Sequence, residues 1–166
     1  MQFETDYNLI LAQLQAVTES EWDLIANLSN ASAVLQMNLS EINWVGFYLV
    51  RENQLVLGPF QGRPACVRIP FGKGVCGTAI AAGRVQRIAD VHAFPGHIAC
   101  DGASNSEIVI PLYQKEMPVA VLDIDSPVPD RFTEEDQKGL EQCAALLEDA
   151  CDWESILRGS GHCCSP

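Results

Sequence analysis

Ile42-Asn43-Trp44-Val45-Gly46-Phe47-Tyr48-Leu49-Val50 is the stretch on which the fold turns. It gathers aromatic and β-branched residues and reads as a strand. The chain before it keeps a different period. Leu24, Leu28, Ala31, Leu35 and Leu39 recur at helical spacing, which predicts an amphipathic helix. Residues 4–17 form an earlier one. Between the two, Thr18-Glu19-Ser20-Glu21 has the form of a capping box, with Thr18 as N-cap and Glu21 returning the bond. Beyond the strand, the polar residues 51–54 turn the chain into Leu55-Val56-Leu57 as a hairpin. Cys66-Val67-Arg68-Ile69 makes a short strand stopped by Pro70, and residues 74–82 a short helix ended by Gly83. Residues 85–88 read as a strand. Strands at 108–112 and 119–125 then flank a Lys115-Glu116 turn, and Thr133-Glu134-Glu135-Asp136 opens a last helix running to about Leu157. This order predicts an α/β protein of the α+β type, a central antiparallel sheet with helices packed on it.

The 166 residues suit one core rather than two. Residues 1–157 are expected to form a single domain, with 158–166 as a flexible tail. A hydrophobic content of 48% is enough to fold without disulfides or metal. No apolar run reaches the roughly 18–20 residues of a membrane helix. Met1-Gln2-Phe3-Glu4-Thr5-Asp6 is acidic where a signal peptide would be basic and then apolar. A cytoplasmic location is the expectation. The net charge of −12, from 22 acids against 10 Lys plus Arg, repels a phosphate backbone. No basic stripe opposes it, so neither nucleic acid nor membrane is an expected partner.

Seven cysteines are many for such a chain, and an odd number does not make a fully paired secreted framework. Cys143 and Cys151 share the last helix with Ala144, Leu147 and Ala150 and read as packing. Cys163-Cys164 follow His162 in the Gly/Ser/Pro tail. Cys66 falls on a strand, Cys76 near a helix N-terminus, and Cys100 in the long irregular stretch 90–106, beside Asp101. A stretch of that length within a compact domain is usually functional. A helix N-terminus lowers a thiol pKa and favours Cys76, whereas loop exposure favours Cys100. Local physics leaves the choice open. A zinc site built from Cys66, Cys76 and Cys100 with His92 or His97 has no Cys-x-x-Cys pair to support it. Those histidines read as loop anchors or solvent-facing groups, and Gly72-Lys73-Gly74 lacks the spacing of a phosphate loop.

Asp123 and Asp125 stand two apart on a strand and project to one face, with Val119 and Val121. A strand running out into solvent would show the same pattern. The functional reading is an anionic pocket wall that holds an ammonium, or keeps a proton through like-charge repulsion. Glu107, just before the neighbouring strand, adds a third carboxylate.

Segments 42–48, Leu57-Gly58-Pro59-Phe60-Gln61-Gly62, Gly72-Lys73-Gly74-Val75-Cys76-Gly77-Thr78-Ala79, His97-Ile98-Ala99-Cys100-Asp101, Ser104-Asn105-Ser106-Glu107-Ile108-Val109 and Val121-Leu122-Asp123-Ile124-Asp125-Ser126 together resemble the free methionine-(R)-sulfoxide reductases. These are stand-alone GAF-domain enzymes, and the likeness covers about residues 6–150. It implies a GAF fold and reduction of free L-methionine-(R)-S-oxide to L-methionine. It also implies a cycle of cysteine nucleophile, sulfenic acid and disulfide, reset by a thioredoxin-like protein. On the resemblance, Cys100 is the nucleophile, Cys66 the resolving cysteine and Cys76 a relay or alternative resolving thiol. Trp44, Glu107, Asp123 and Asp125 line the substrate pocket. No cofactor and no metal is implied, and a homodimer through the helices is. Cys143, Cys151, Cys163 and Cys164 lie outside the pattern. The competing reading is a GAF sensor module without catalysis, which would have no need of a nucleophile and a resolving partner.

Overall fold

The computed structural model describes residues 4–159. Its elements are α1 (Tyr7–Thr18), α2 (Leu24–Asn38), β1 (Trp44–Arg51), β2 (Gln54–Gly62), β3 (Arg68–Pro70), α3 (Gly74–Ala82), β4 (Gln86–Ile88), a 3-10 turn (Val91–Ala93), β5 (Ser106–Gln114), β6 (Met117–Ser126), α4 (Glu134–Ala150) and α5 (Glu154–Gly159). The strands form one antiparallel sheet in the order β3-β2-β1-β6-β5-β4. Helices α1, α2 and α4 pack on one another, with α2 against β1 and β2 and α4 against β5, whereas α3 packs on β3 to β6.

β1 and β6 are the central pair, buried along almost their whole length. That is why their sequences are nearly continuous in apolar residues. The β1–β2 and β5–β6 hairpins both turn on two residues of positive φ, Glu52-Asn53 and Lys115-Glu116. Such turns match the right-handed twist of the flanking strands. Gly46 permits a close approach, because a Cβ there would lie 2.3 Å from Cβ of Phe60 on β2.

Three expectations are corrected. The capping box before α2 does not form. Thr18 closes α1 by donating to the Leu14 carbonyl at 2.9 Å, and Asp23 caps α2 by accepting from Ala26 N at 2.8 Å. The hydroxyl is within reach of its own helix before it can serve the next one. The last helix breaks at Cys151, whose N–H still reaches the Leu147 carbonyl, and restarts as α5. Trp153 is buried at the break, so burying the indole outweighs continuing the helix. Cys66 precedes β3 rather than lying on a strand. The capping box of Thr133 and Asp136 at the start of α4 is present, as is the left-handed Gly83 that ends α3. Cys143 and Cys151 are buried in the core. The Cys163-Cys164 tail lies outside the described residues.

Candidate active site

Sheet register assembles the carboxylates. Trp44 of β1 pairs with Asp125 of β6, which on its other side pairs with Glu107 of β5. In the next row of the same face, Gly46 pairs with Asp123 and Asp123 with Val109. Three acids from two adjacent strands therefore share one face, and α3 closes over them. Cys76 Sγ lies 3.9 Å from Glu107 Oε1. The solvent-exposed reading of Asp123 does not hold, because Asp123 is 6% exposed and Glu107 is equally buried. Asp125 is half-buried and lines the same cavity.

Burial governs the electrostatics. It raises Glu107 well above the ordinary carboxylate range, helped by the charges of Asp123 and Asp125. It raises Asp125 likewise, with Asp123 adding to it and a Ser104 hydrogen bond opposing it. Asp123 is raised to about 6, limited by hydrogen bonds from Cys76 and Glu107. Its Oδ1 is buried without a partner. The Cys76 thiol is held well above its usual value by burial and then by Asp123 and Glu107. This corrects the helix-terminus expectation. A dry, anionic neighbourhood outweighs the fractional positive charge of a helix end, so Cys76 is not an activated thiolate.

Cys66 and Cys100 are joined by a disulfide across 34 residues, with their Cα atoms 5.5 Å apart. Both chain segments are held against the pocket. Tyr48 on β1 donates its hydroxyl to the Cys66 carbonyl at 2.9 Å. On the loop carrying Cys100, Asn43 Nδ2 donates to Asp101 Oδ2 and to Ser104 Oγ, each at 3.1 Å. Asp101 also accepts from Ala103 N at 2.9 Å. It is thus committed to the turn and held below its ordinary range by that bond. The cavity is lined by Trp44, Tyr48, Cys76, His97, Cys100, Glu107, Asp123 and Asp125 among others, and encloses about 40 Å³. Trp44 is buried, stacks on Tyr48 and Phe60, and donates Nε1 to the Arg63 carbonyl at 3.1 Å.

All seven expected residues thus converge on one cavity, except that Cys66 reaches it through its disulfide rather than as a lining residue. His97, expected as a loop anchor or solvent-facing group, instead lines the cavity, where its Nε2 lies 3.8 Å from Glu107 Oε2 and burial holds it below the usual imidazole pKa. Sequence reading missed the Asn43 clamp. Asn43 stood inside the quoted strand segment but just ahead of the paired residues, and nothing local marks a side chain that reaches a loop 58 positions away. His92, in contrast, is exposed and hydrogen-bonds Asn105.

Comparison with known proteins agrees with this geometry. The GAF domain family matches residues 28–152. Protein YtsP of Bacillus subtilis is 64% identical over 149 residues, covering 89% of this chain and 91% of the relative. The free methionine-R-sulfoxide reductase of Escherichia coli is 57% identical over 143 residues, covering 86% and 82%. The structure of fRMsr of Staphylococcus aureus in complex with substrate superposes with a TM-score of 0.86 at 52% identity, covering 89% of this chain and 97% of that one.

Proposed function

The chain belongs to the free methionine-R-sulfoxide reductases, built on a GAF domain, and on that premise we propose how its cysteines and acids divide the work. It is an oxidoreductase that acts on free methionine-(R)-sulfoxide. The observation that carries the division of labour is the Cys66–Cys100 disulfide poised at a pocket of three carboxylates.

Cys100 as thiolate attacks the sulfoxide sulfur while an acid protonates the departing oxygen. The protonated oxygen then passes from the methionine sulfur to Cys100 Sγ as the transient bond between the two sulfurs breaks, so methionine leaves and Cys100 is left as a sulfenic acid. The Cys66 thiol then displaces that oxygen as water and forms the disulfide. A dithiol protein of the thioredoxin class exchanges with it and restores both thiols. Such a reductant belongs to the cytoplasm, where we place the protein. Among the described residues no helix is long and apolar enough to cross a membrane.

Glu107 is the acid. Burial and the charges of Asp123 and Asp125 favour its protonated form, and His97 at 3.8 Å can resupply its proton from the loop side. Asp123 ionises first and takes the substrate ammonium on its unpartnered Oδ1. Trp44 packs on the methyl-sulfur end. Cys76 serves as a relay or alternative resolving thiol, its raised pKa fitting a role other than primary nucleophile. Residues 1–157 act as one domain. A second copy docks through the helices, where Leu9, Ile25 and Met37 on α1 and α2 and Trp22 in the connection between them expose apolar surface; size-exclusion chromatography with light scattering should read a dimer.

The test is to incubate the purified protein with the R and S epimers of the free sulfoxide plus a thiol reductant and to assay methionine. Turnover of R alone is expected, and Cys100→Ser should abolish it. Cys66→Ser should release about one methionine per enzyme and then stall with the thioredoxin system. N-acetylated sulfoxide, which lacks the ammonium, should be a very poor substrate. Equal reduction of the free and acetylated compounds would overturn the ammonium reading.

A further inference from the structure

Of the three cysteines gathered at the pocket, Cys76 alone stands outside the Cys66–Cys100 pair, and in the reductase cycle it has at most a relay step. Cys76 stays a free thiol while Cys66 and Cys100 are joined, and it sits fully buried among acids. One atom each from Cys76, Glu107 and Asp123 lie within 4.8 Å of one another. Two further separations matter, Cys76 Sγ to Glu107 Oε1 at 3.9 Å and His97 Nε2 to Glu107 Oε2 at 3.8 Å. In a tetrahedral zinc site with metal–sulfur bonds of about 2.3 Å and metal–oxygen bonds of about 2.1 Å, neighbouring ligand atoms stand roughly 3.6 Å apart. The three buried donors therefore stand near the spacing of one face of a tetrahedral set, and His97, set against the other oxygen of Glu107, has to swing in to complete it. Asp123 supplies an independent sign of a missing cation, since its Oδ1 is buried without a hydrogen-bond partner. The cavity of about 40 Å³ holds an ion with a water or two.

We propose that Cys76 Sγ, Glu107, Asp123 and His97 Nε2 form a site for a borderline-soft divalent cation of the zinc class, and that this cation and the substrate exclude one another. The donor set of one thiolate, one imidazole and two carboxylates selects zinc over magnesium or calcium, which take oxygen ligands alone. The exclusion rests on the reading above that Asp123 receives the substrate ammonium. Metal at Asp123 removes that partner, and metal on Glu107 displaces the proton the reaction needs. Free zinc would then act as a reversible inhibitor through a thiol outside the redox pair.

Cobalt(II), a spectroscopic stand-in for zinc, tests the site in the oxidised protein, where Cys76 is the pocket's one free thiol. Cys163→Ser and Cys164→Ser in the background remove thiols of the C-terminal segment. Titration should show one equivalent with a thiolate-to-cobalt charge-transfer band and tetrahedral visible absorption. Cys76→Ser should lose the band, and Asp123→Asn should weaken binding at least about tenfold, the worth of one charge-assisted ligand contact. Circular dichroism confirms that each variant is folded. In the reduced enzyme with a phosphine reductant, zinc inhibition should be competitive, its apparent constant rising as one plus substrate over KM. No band, or a band that survives Cys76→Ser, overturns the site. Inhibition that substrate does not relieve overturns the exclusion. The cobalt band needs no turnover, so an inactive protein that shows it refutes only the catalytic reading. An active protein without the band refutes only the metal site.

Discussion

Two buried aspartates, Asp136 at the start of α4 and Asp123 on β6, differ by one percentage point in exposure, 5% against 6%, and have opposite roles. Asp136 is saturated. It accepts from the Tyr7 hydroxyl at 2.7 Å, Arg131 Nη1 at 3.1 Å, and the Thr133 N–H and hydroxyl at 2.8 and 3.0 Å. It ties α1, the loop before α4, and the helix cap into one joint. Asp123 keeps an oxygen with no partner and a pKa raised to about 6 by burial. Burial of a charge tells little by itself. A buried acid with all its partners is structural, and one left short is held ready for a ligand.

The sharpest break of this comparison is at Glu107, on the Asp123 side. Glu107→Gln keeps the shape but cannot give up a proton as an acid. Its kcat should fall by about 10²–10⁴-fold, the worth of general-acid catalysis, with KM nearly unchanged and thermal stability equal to or above wild type. Steady-state kinetics beside a melting curve reads both. A loss confined to KM would move the acid's role to Asp125.

Asp136→Asn should do the reverse. Removing the charged partner of the half-buried Arg131, along with one acceptor of the α4 cap, costs about 1–3 kcal/mol of stability, seen as a lower urea midpoint. The folded fraction should keep its kcat. A kcat that drops with stability unchanged would erase the distinction between the two acids.

The pH dependence sharpens it further. Asp123 is raised from 3.8 in the unfolded chain to about 6 in the fold. Between those values the folded protein holds a proton that the unfolded chain has released, so stability falls as pH rises through that window and levels above it. The shift corresponds to roughly 3 kcal/mol. Relative to Asp123→Asn, chelator-treated wild type should lose that amount between about pH 4 and 6 in denaturant titrations. A flat difference would mean that Asp123 is satisfied after all.

The smallest effect belongs to the sulfur chemistry of the core. Cys143 is buried and its thiol is pushed up to about 12 by burial. Cys143→Ala should cost about 1 kcal/mol, as an ordinary core truncation does, and leave turnover unchanged in the same assay. A large activity loss would extend the working thiols beyond the pocket.

The strands apart from the Cys66 end of β3, the hairpin turns and the shared face of Asp123 and Asp125 were determined by the sequence alone, because side-chain alternation and turn chemistry act over a few residues. The shorter range of α1 and the failed Thr18 cap show the limit of that locality: two helices competed for one hydroxyl. Only the tertiary structure decided which acids meet, since Glu107 joins Asp125 through strand register rather than through spacing along the chain. It also set the character of Cys76. A helix-end position predicts an acidic thiol, but desolvation and two carboxylates delivered by other strands reverse the sign. The same holds for His97 and Asn43, whose partners are 10 and 58 positions away. Pattern in a sequence reports each residue's own propensity, whereas a pKa or an unpartnered oxygen depends on what the rest of the chain brings within about 4 Å.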